Sequence, residues 1–455
     1  MDSWLKAALD YIPRWLDYQM RLSEQPGCVI AVAHKGRVVM EEAVGVADIS
    51  SRRVLTPRHR FRVASHFKTF TSAAVFKLRE AGLLRLDDPA GRYVDGLHPA
   101  VAKATLIQLL SHSAGLIRDG VDAGQWHDRR PFLNEQSLRK ALCDPPVIEP
   151  SARLKYSNHG FGLVGLVIEA VTGEPYCDWV AREIVGAGKL RETTPDGPAS
   201  RGTPVARGHT RKLPLGHRRI VPGDNRTHAL APATGFLSTA GDLARFFASL
   251  DPEAKHSILS RASRRDMIRR QWLDVHASAE GSYGLGIMLG KAGGWEWFGH
   301  AGGFQSCISR TVVLPGRDLA LSILTNAVDG PAWVWSDALI HILRNFARRG
   351  APTAKTRDWA GRWWSLWRTL DFVPMRDHVL VADPGLTVPF TDASEIGVTK
   401  RDLGTIRHAT GLANFGEEAR LVRGANGQVR ELWFGGTKYL PENKFAAELK
   451  RKYGK

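Results

Sequence analysis

The chain has 455 residues, 43% of them hydrophobic and 24% charged, with a formal net charge of +17. That length calls for two or three domains, and the composition excludes a disordered or fibrous chain. No apolar run reaches the ~18 residues that a membrane-spanning helix needs.

Taken in chain order, the first segment, Met1 to Met20, carries Asp2, Lys6, Asp10, Arg14 and Asp17 among apolar residues. Such spacing breaks any signal-peptide core and predicts an amphipathic surface helix, so the chain reads as cytoplasmic. Cys28–His34 and Arg37–Val46 are apolar runs joined by Lys35-Gly36, a β-hairpin pattern. Phe61–Ala64 is a short extended stretch leading into a helix over Ser65–Ala81, where Phe67, Phe70, Ala74, Leu78 and Ala81 recur at helical spacing before Gly82 stops it. Further helices are expected at Leu106–Ser111, Phe161–Thr172, Tyr176–Val185 and Ala240–Leu250. Gly284–Leu289, Gly303–Leu314 and Leu319–Asn326 read as strands, the last two joined by the turn Pro315-Gly316-Arg317-Asp318. Strands at both ends with helices between predict an α/β fold: one antiparallel sheet flanked by helices, the first hairpin joining the late strands and a mostly helical insertion covering the site. Gly330 to Arg349 reads as a closing helix, and Gly350-Ala351-Pro352-Thr353 as a boundary. The expected division is a larger α/β domain over 1–349 and a small, barrel-like all-β domain over 350–455, with Trp359, Trp363, Trp364 and Trp367 as packing residues on either a helix stripe or a strand.

Cys28, Cys143, Cys177 and Cys307 are scattered and form no Cys-x-x-Cys pair, so neither a zinc site nor a disulfide framework is expected, and no cofactor is called for. The basic residues are spread along the chain without a nucleic-acid-binding signature, which reads as a solvated basic surface; a nucleic-acid partner is not expected. Oligomeric state is not legible.

Ser-x-x-Lys occurs at Ser3–Lys6, Ser65–Lys68 and Ser137–Lys140, and chance alone supplies roughly one or two in a chain this long. Only Ser65 stands where a short strand turns into an apolar helix. There its side chain lies at the positive end of the helix dipole, with Lys68 on the same side three residues on. A serine hydroxyl needs a base to become a nucleophile, and an amine desolvated against Phe61, Phe67 and Phe70 has its pKa lowered towards that task. The competing reading of Ser65 is a helix N-cap. Tyr156-Ser157-Asn158 lies between a loop and the helix expected from Phe161. Its phenol, held near two cationic neighbours, can ionise more easily and shuttle a proton, and Asn158 can bond both a substrate amide and Lys68. The competing reading is a structural tyrosine with a loop-capping asparagine. Gly299-His300-Ala301-Gly302-Gly303-Phe304 enters the strand before the Pro-Gly turn, and its glycines let a substrate approach the backbone, so that the N–H groups of Gly303 and Ser65 would form an oxyanion hole. His34-Lys35-Gly36 is read as a hairpin turn, and Lys291-Ala292-Gly293 as a Gly-rich loop with no strand directly following.

Together these segments resemble the serine β-lactamase and DD-peptidase superfamily of penicillin-recognising serine hydrolases, closest to its class C-like, esterase and D-aminopeptidase branch. The likeness extends over about residues 25 to 345. It includes Leu109-Leu110-Ser111-His112-Ser113-Ala114-Gly115-Leu116, the stretch from Tyr156 to Gly165, and Gly235-Phe236-Leu237-Ser238-Thr239-Ala240-Gly241-Asp242-Leu243. The resemblance implies an α/β catalytic domain, an acyl-enzyme on Ser65 with Lys68 and Tyr156 as proton carriers, no metal, and a C-terminal β-barrel of the kind some members carry. Where the superfamily usually has Lys-Thr-Gly, this chain has His300-Ala301-Gly302. An imidazole and a methyl grip a substrate carboxylate less well, by about 2–4 kcal/mol. The expected activity is therefore hydrolysis of esters, or of amides and peptides of D-amino acids, with Asn158, His300 and Gly302 at the substrate. A β-lactamase or DD-carboxypeptidase is the alternative within the fold, and a non-catalytic scaffold the alternative outside it.

Overall fold

A computed structural model describes residues 1–274, 281–410 and 414–454. The chain forms two compact units, one of Gln25–Ser336 and one that joins Met1–Glu24 to Asp337–Lys455. These bounds differ from 1–349 and 350–455: helix α1 (Ser3–Leu22) groups with the C-terminal segment.

The first unit is built on a sheet of nine strands among the described residues: β1 (Gly27–His34), β2 (Arg37–Asp48), β3 (Arg53–Val54), β4 (Trp272–Asp274), β5 (Gly281–Tyr283), β6 (Met288–Ala292), β7 (Trp295–Phe304), β8 (Cys307–Leu314) and β9 (Leu319–Thr325). The order is β3-β2-β1-β9-β8-β7-β6-β5-β4, with antiparallel neighbours. The first hairpin therefore joins the late strands, with Val29 opposite Leu324 and Ile30 opposite Ile323. β1, β8 and β9 are almost wholly buried. Strands covered on both faces carry continuous apolar runs instead of alternation, as these do. Between β3 and β4 lies the helical insertion. At its centre is helix α2 (Phe67–Glu80), buried on nearly every side through Phe76, and beside it helix α3 (Asn158–Thr172). Helix α4 (Ala240–Ser249) packs on β1 and β9.

Four expectations change. Gly284–Leu289 is not one strand: the backbone bends there, Gly284 N–H bonding the Ile287 carbonyl at 2.8 Å, and β6 starts only at Met288. Gly303–Leu314 is two strands, β7 and β8, turned at Gln305-Ser306. Gly299–Phe304 is therefore the end of β7, one strand earlier than expected, and Lys291-Ala292 closes β6 with β7 following directly after Gly293-Gly294. Glycine-rich composition mimics a loop, whereas here it serves backbone packing inside a sheet. Helix α3 begins at Asn158 rather than Phe161, because the Ser157 hydroxyl caps it by accepting from Gly160 N–H at 2.9 Å.

Helix α5 (Ala332–Arg349) carries the chain from one unit into the other. In the second unit, β10 (Gly361–Trp364), β11 (Thr369–Met375), β12 (His378–Ala382), β13 (Ser394–Lys400), β14 (Leu403–His408), β15 (Glu418–Arg423), β16 (Val429–Phe434) and β17 (Thr437–Tyr439) pair in sequence order. Trp364 and Leu440 exchange two backbone hydrogen bonds, at 2.8 and 2.9 Å, which brings the last strand back to the first in a near-closed barrel. Trp359, Phe372, Val379, Ile396, Ile406 and Leu432 fill its interior. Trp363 and Trp364 lie on a strand, and Trp367 is exposed at a hairpin tip. Helix α6 (Glu442–Tyr453) ends the described chain. Among the described residues no helix is long and apolar enough to cross a membrane.

Candidate active site

Ser65 stands on a single tight turn, Ala64–His66, between a strand stub (Phe61–Arg62) and α2. From Phe61 to Phe70 every residue is buried except Ser65, so the turn lifts one hydroxyl out of a packed wall. Ala64 takes a left-handed backbone, φ 46°, a conformation that costs an alanine about 1–3 kcal/mol and persists only where the surroundings impose it. Those surroundings are visible. Val63 N–H bonds the Phe236 carbonyl at 3.1 Å, and the His66 ring spans from the Val63 carbonyl (3.0 Å) to Thr311 Oγ1 on β8 (2.9 Å). The turn is thereby strapped to the sheet.

One turn into α2, Lys68 is fully buried. Its Nζ lies 3.2 Å from Ser65 Oγ, 2.7 Å from Asn158 Oδ1 and 2.9 Å from the Ala233 carbonyl. Burial pushes the amine well below the usual lysine range; Asp119 opposes this and Arg118 adds to it. The hydrogen inventory then decides the pairing. A neutral amine has two N–H groups and one lone pair, and the Asn158 and Ala233 oxygens can only accept. In the neutral form both N–H groups would go to those two oxygens, which leaves the lone pair to face the Ser65 hydroxyl.

Tyr156 precedes α3 by two residues and is half-buried, its phenol hydrogen-bonded to Ser65. Lys68 Nζ lies 4.6 Å from its ring centroid and the Arg118 guanidinium carbon 5.4 Å. Burial raises the phenol above its ordinary range, against smaller lowering effects of the Ser65 bond and Arg118. The resting phenol therefore keeps its proton; the eased ionisation expected from two cationic neighbours is outweighed by desolvation. The structure thus brings Ser65, Lys68, Tyr156 and Asn158 into one cluster.

β7 forms the opposite wall. Gly302 packs against the backbone of Val63, while Gly303 beside it is exposed. His300 is buried rather than open, with Nε2 2.9 Å from the Tyr283 hydroxyl and Nδ1 within 2.9 Å of the Ala301 backbone. Burial, with the nearby Lys68 and His66, holds it well below the usual histidine range, so this position offers no cation.

Three further residues belong to the cluster and had no spacing signal in the sequence. Asp119 bonds Asn158, Trp126 and Arg118. Tyr283, on β5, holds His300. His112 accepts from Ser157 N–H at 3.1 Å through Nδ1 and lies 4.1 Å from the Tyr156 ring, centroid to centroid. Tertiary contact brings them in: Asp119 and Asn158 are 39 residues apart in the chain, and His112 and Ser157 are 45 apart. Among the described residues no group of three or more His, Cys, Asp or Glu side chains could hold a metal ion.

The family model for beta-lactamase matches residues 14–339. The chain belongs to the beta-lactamase family. Esterase EstB of Burkholderia gladioli is 29% identical over 186 residues, 38% of this chain and 46% of that protein. The chain spans less than half the length of the curated relatives it matches first. Among solved structures, the octameric penicillin-binding protein homologue from Pyrococcus abyssi superposes with a TM-score of 0.65 at 22% identity, covering 95% of this chain and 99% of its own. The D-amino acid amidase from Ochrobactrum anthropi SV3 superposes with a TM-score of 0.64 at 22% identity, covering 75% of this chain and 99% of its own. At that identity the likeness is one of fold. The beta-lactamase-family unit has the mixed α/β sheet expected from the sequence, and the other unit has the near-closed barrel.

Proposed function

We propose that this protein is a serine hydrolase that forms an acyl-enzyme on Ser65 with an ester, or with an amide or small peptide of a D-amino acid. The carrying observation is Lys68 Nζ, which lies 2.7 and 2.9 Å from the Asn158 and Ala233 oxygens and 3.2 Å from Ser65 Oγ; an amine that gives its two N–H groups to those two oxygens turns its lone pair to the serine. That is the arrangement a general base requires. Lys68 accepts the hydroxyl proton as Oγ bonds to the substrate carbonyl carbon. The oxyanion is received by the N–H groups of Ser65 and Gly303. Tyr156, which holds its proton at rest, gives it to the leaving oxygen or nitrogen as the carbonyl–leaving-group bond breaks, and the Lys68 ammonium restores it. Water then enters, passes a proton to the Tyr156–Lys68 pair and releases the acid, returning the proton to Oγ. Asn158 and Gly302 border the substrate, with His300 behind them.

The neutral, buried His300 supports esters and D-aminoacyl amides over β-lactams and DD-peptide termini, since a substrate carboxylate meets no charge at that position. The name of the relative Esterase EstB and the fold shared with a D-amino acid amidase point the same way. The test is a panel of p-nitrophenyl esters, D- and L-aminoacyl amides and nitrocefin, run on wild type and Ser65→Ala. Ester or D-amide turnover lost in Ser65→Ala is expected. Wild-type rates in that variant would remove Ser65 as nucleophile, and rapid nitrocefin turnover would favour a β-lactamase.

A further inference from the structure

We infer that Asp119 is a positioning residue of this site, holding Asn158 with its amide oxygen towards Lys68 and so holding the amine against Ser65. The inference rests on Ser65 and Lys68 being the reacting pair. Its own support is separate: a chain of contacts from the Asp119 carboxylate to Asn158 Nδ2 (2.6 Å), from Asn158 Oδ1 to Lys68 Nζ (2.7 Å), and from Nζ to Ser65 Oγ (3.2 Å).

Donors and acceptors fix the orientation of the Asn158 amide. An ionised carboxylate only accepts, so the Asn158 atom facing Asp119 must be the NH2 group, and the oxygen must face Lys68. Turning the amide over would set oxygen against carboxylate at one end and N–H against N–H at the other. Asp119 itself is locked: its Oδ1 also accepts from Trp126 Nε1 at 3.0 Å, and its Oδ2 pairs with Arg118 Nε at 3.1 Å. Its side chain is only 9% exposed, and three donors on one carboxylate hold it in place. Nothing in the Ser65–Lys68–Tyr156 pattern predicts this residue, because it touches none of the three hydroxyl or amine groups directly and acts through the Asn158 amide.

Asp119 also has an electrostatic effect. The charged and titratable groups around Lys68 are Tyr156, Arg118, Asp119, His112 and His300, and Asp119 is the one that favours the ammonium form. Orientation and charge can be separated by two substitutions. Asp119→Asn keeps an acceptor for Asn158 but loses the charge; Asp119→Ala loses both.

The experiment is the pH dependence of kcat/KM for p-nitrophenyl butyrate, together with the rate of fluorophosphonate labelling of Ser65, in wild type and both variants. Expected is a shift of the acid limb to lower pH in both variants, with a tenfold or greater loss of kcat and of labelling rate in Asp119→Ala and a smaller loss in Asp119→Asn. Unchanged acid limbs, or Asp119→Ala labelling within twofold of wild type, would overturn the inference. Should Asp119→Ala fail to fold, the acid limb of Asp119→Asn decides alone. Ser65→Ala, run alongside, distinguishes the two failures: activity surviving there defeats the reading of Ser65 as nucleophile, whereas inactivity there with an indifferent Asp119 defeats only the positioning role.

Discussion

A β-carbon placed on Gly302 would lie 2.1 Å from the carbonyl oxygen of Val63, two residues before Ser65. The strand that carries the proposed oxyanion donor and the turn that carries the proposed nucleophile are thus in backbone contact, and the missing side chain is what allows it. Gly302→Ala must push the two apart. Overpacking of this kind costs about 1–3 kcal/mol, so a lowered melting temperature and a large loss of kcat/KM are expected together. Gly303→Ala is the control: its β-carbon would meet only Ile308 Cδ1, at 3.5 Å, and thermal melting should match wild type while ester turnover reports crowding on the exposed side of β7.

Lys68 links activity and stability to pH. Its folded-state pKa lies well below the ordinary lysine value because of burial, so across the window between the two the unfolded chain binds a proton there that the folded chain does not. Stability therefore rises with pH through that window. Urea midpoints of wild type compared with Lys68→Met from pH 6 to 10 should show wild type gaining relative to the variant as pH rises. A difference that stays flat would mean that the amine is not neutral in the folded protein.

Tyr156→Phe removes the proton donor while keeping the ring over Lys68. A loss of about 10²- to 10⁴-fold in kcat is expected for a lost general acid, larger for an amide, whose leaving nitrogen needs the proton, than for an activated p-nitrophenyl ester. Steady-state rates on both substrate types check it.

Tyr283→Phe deletes the hydroxyl at 2.9 Å from His300 Nε2 and leaves a buried ring nitrogen without that partner. The expected cost is about 1–3 kcal/mol of stability, read from thermal melting, with a several-fold rise in KM as the β7 wall loosens.

How much of this was legible depends on the range of the interactions. The hairpin of β1 and β2 and the helix after Ser65 showed as apolar periodicity and a turn dipeptide, because both signals are local. The start of α3 was missed by three residues, since a serine cap looks like loop chemistry until the bond to Gly160 is seen. The end of β7 was assigned to the next strand because glycines in a sheet are indistinguishable by composition from glycines in a turn.

By itself the sequence determined the residue types available for chemistry: a hydroxyl and an amine three positions apart on an apolar helix, a tyrosine and an asparagine ahead of another helix, and glycines and a histidine where charged gripping residues are usual. Tertiary structure alone decided the protonation states and the company these groups keep. Burial and directed hydrogen bonds set whether Lys68 is an amine or an ammonium and which way Asn158 faces, and both are properties of atoms drawn together from distant parts of the chain, with Asp119 and Tyr283 among them.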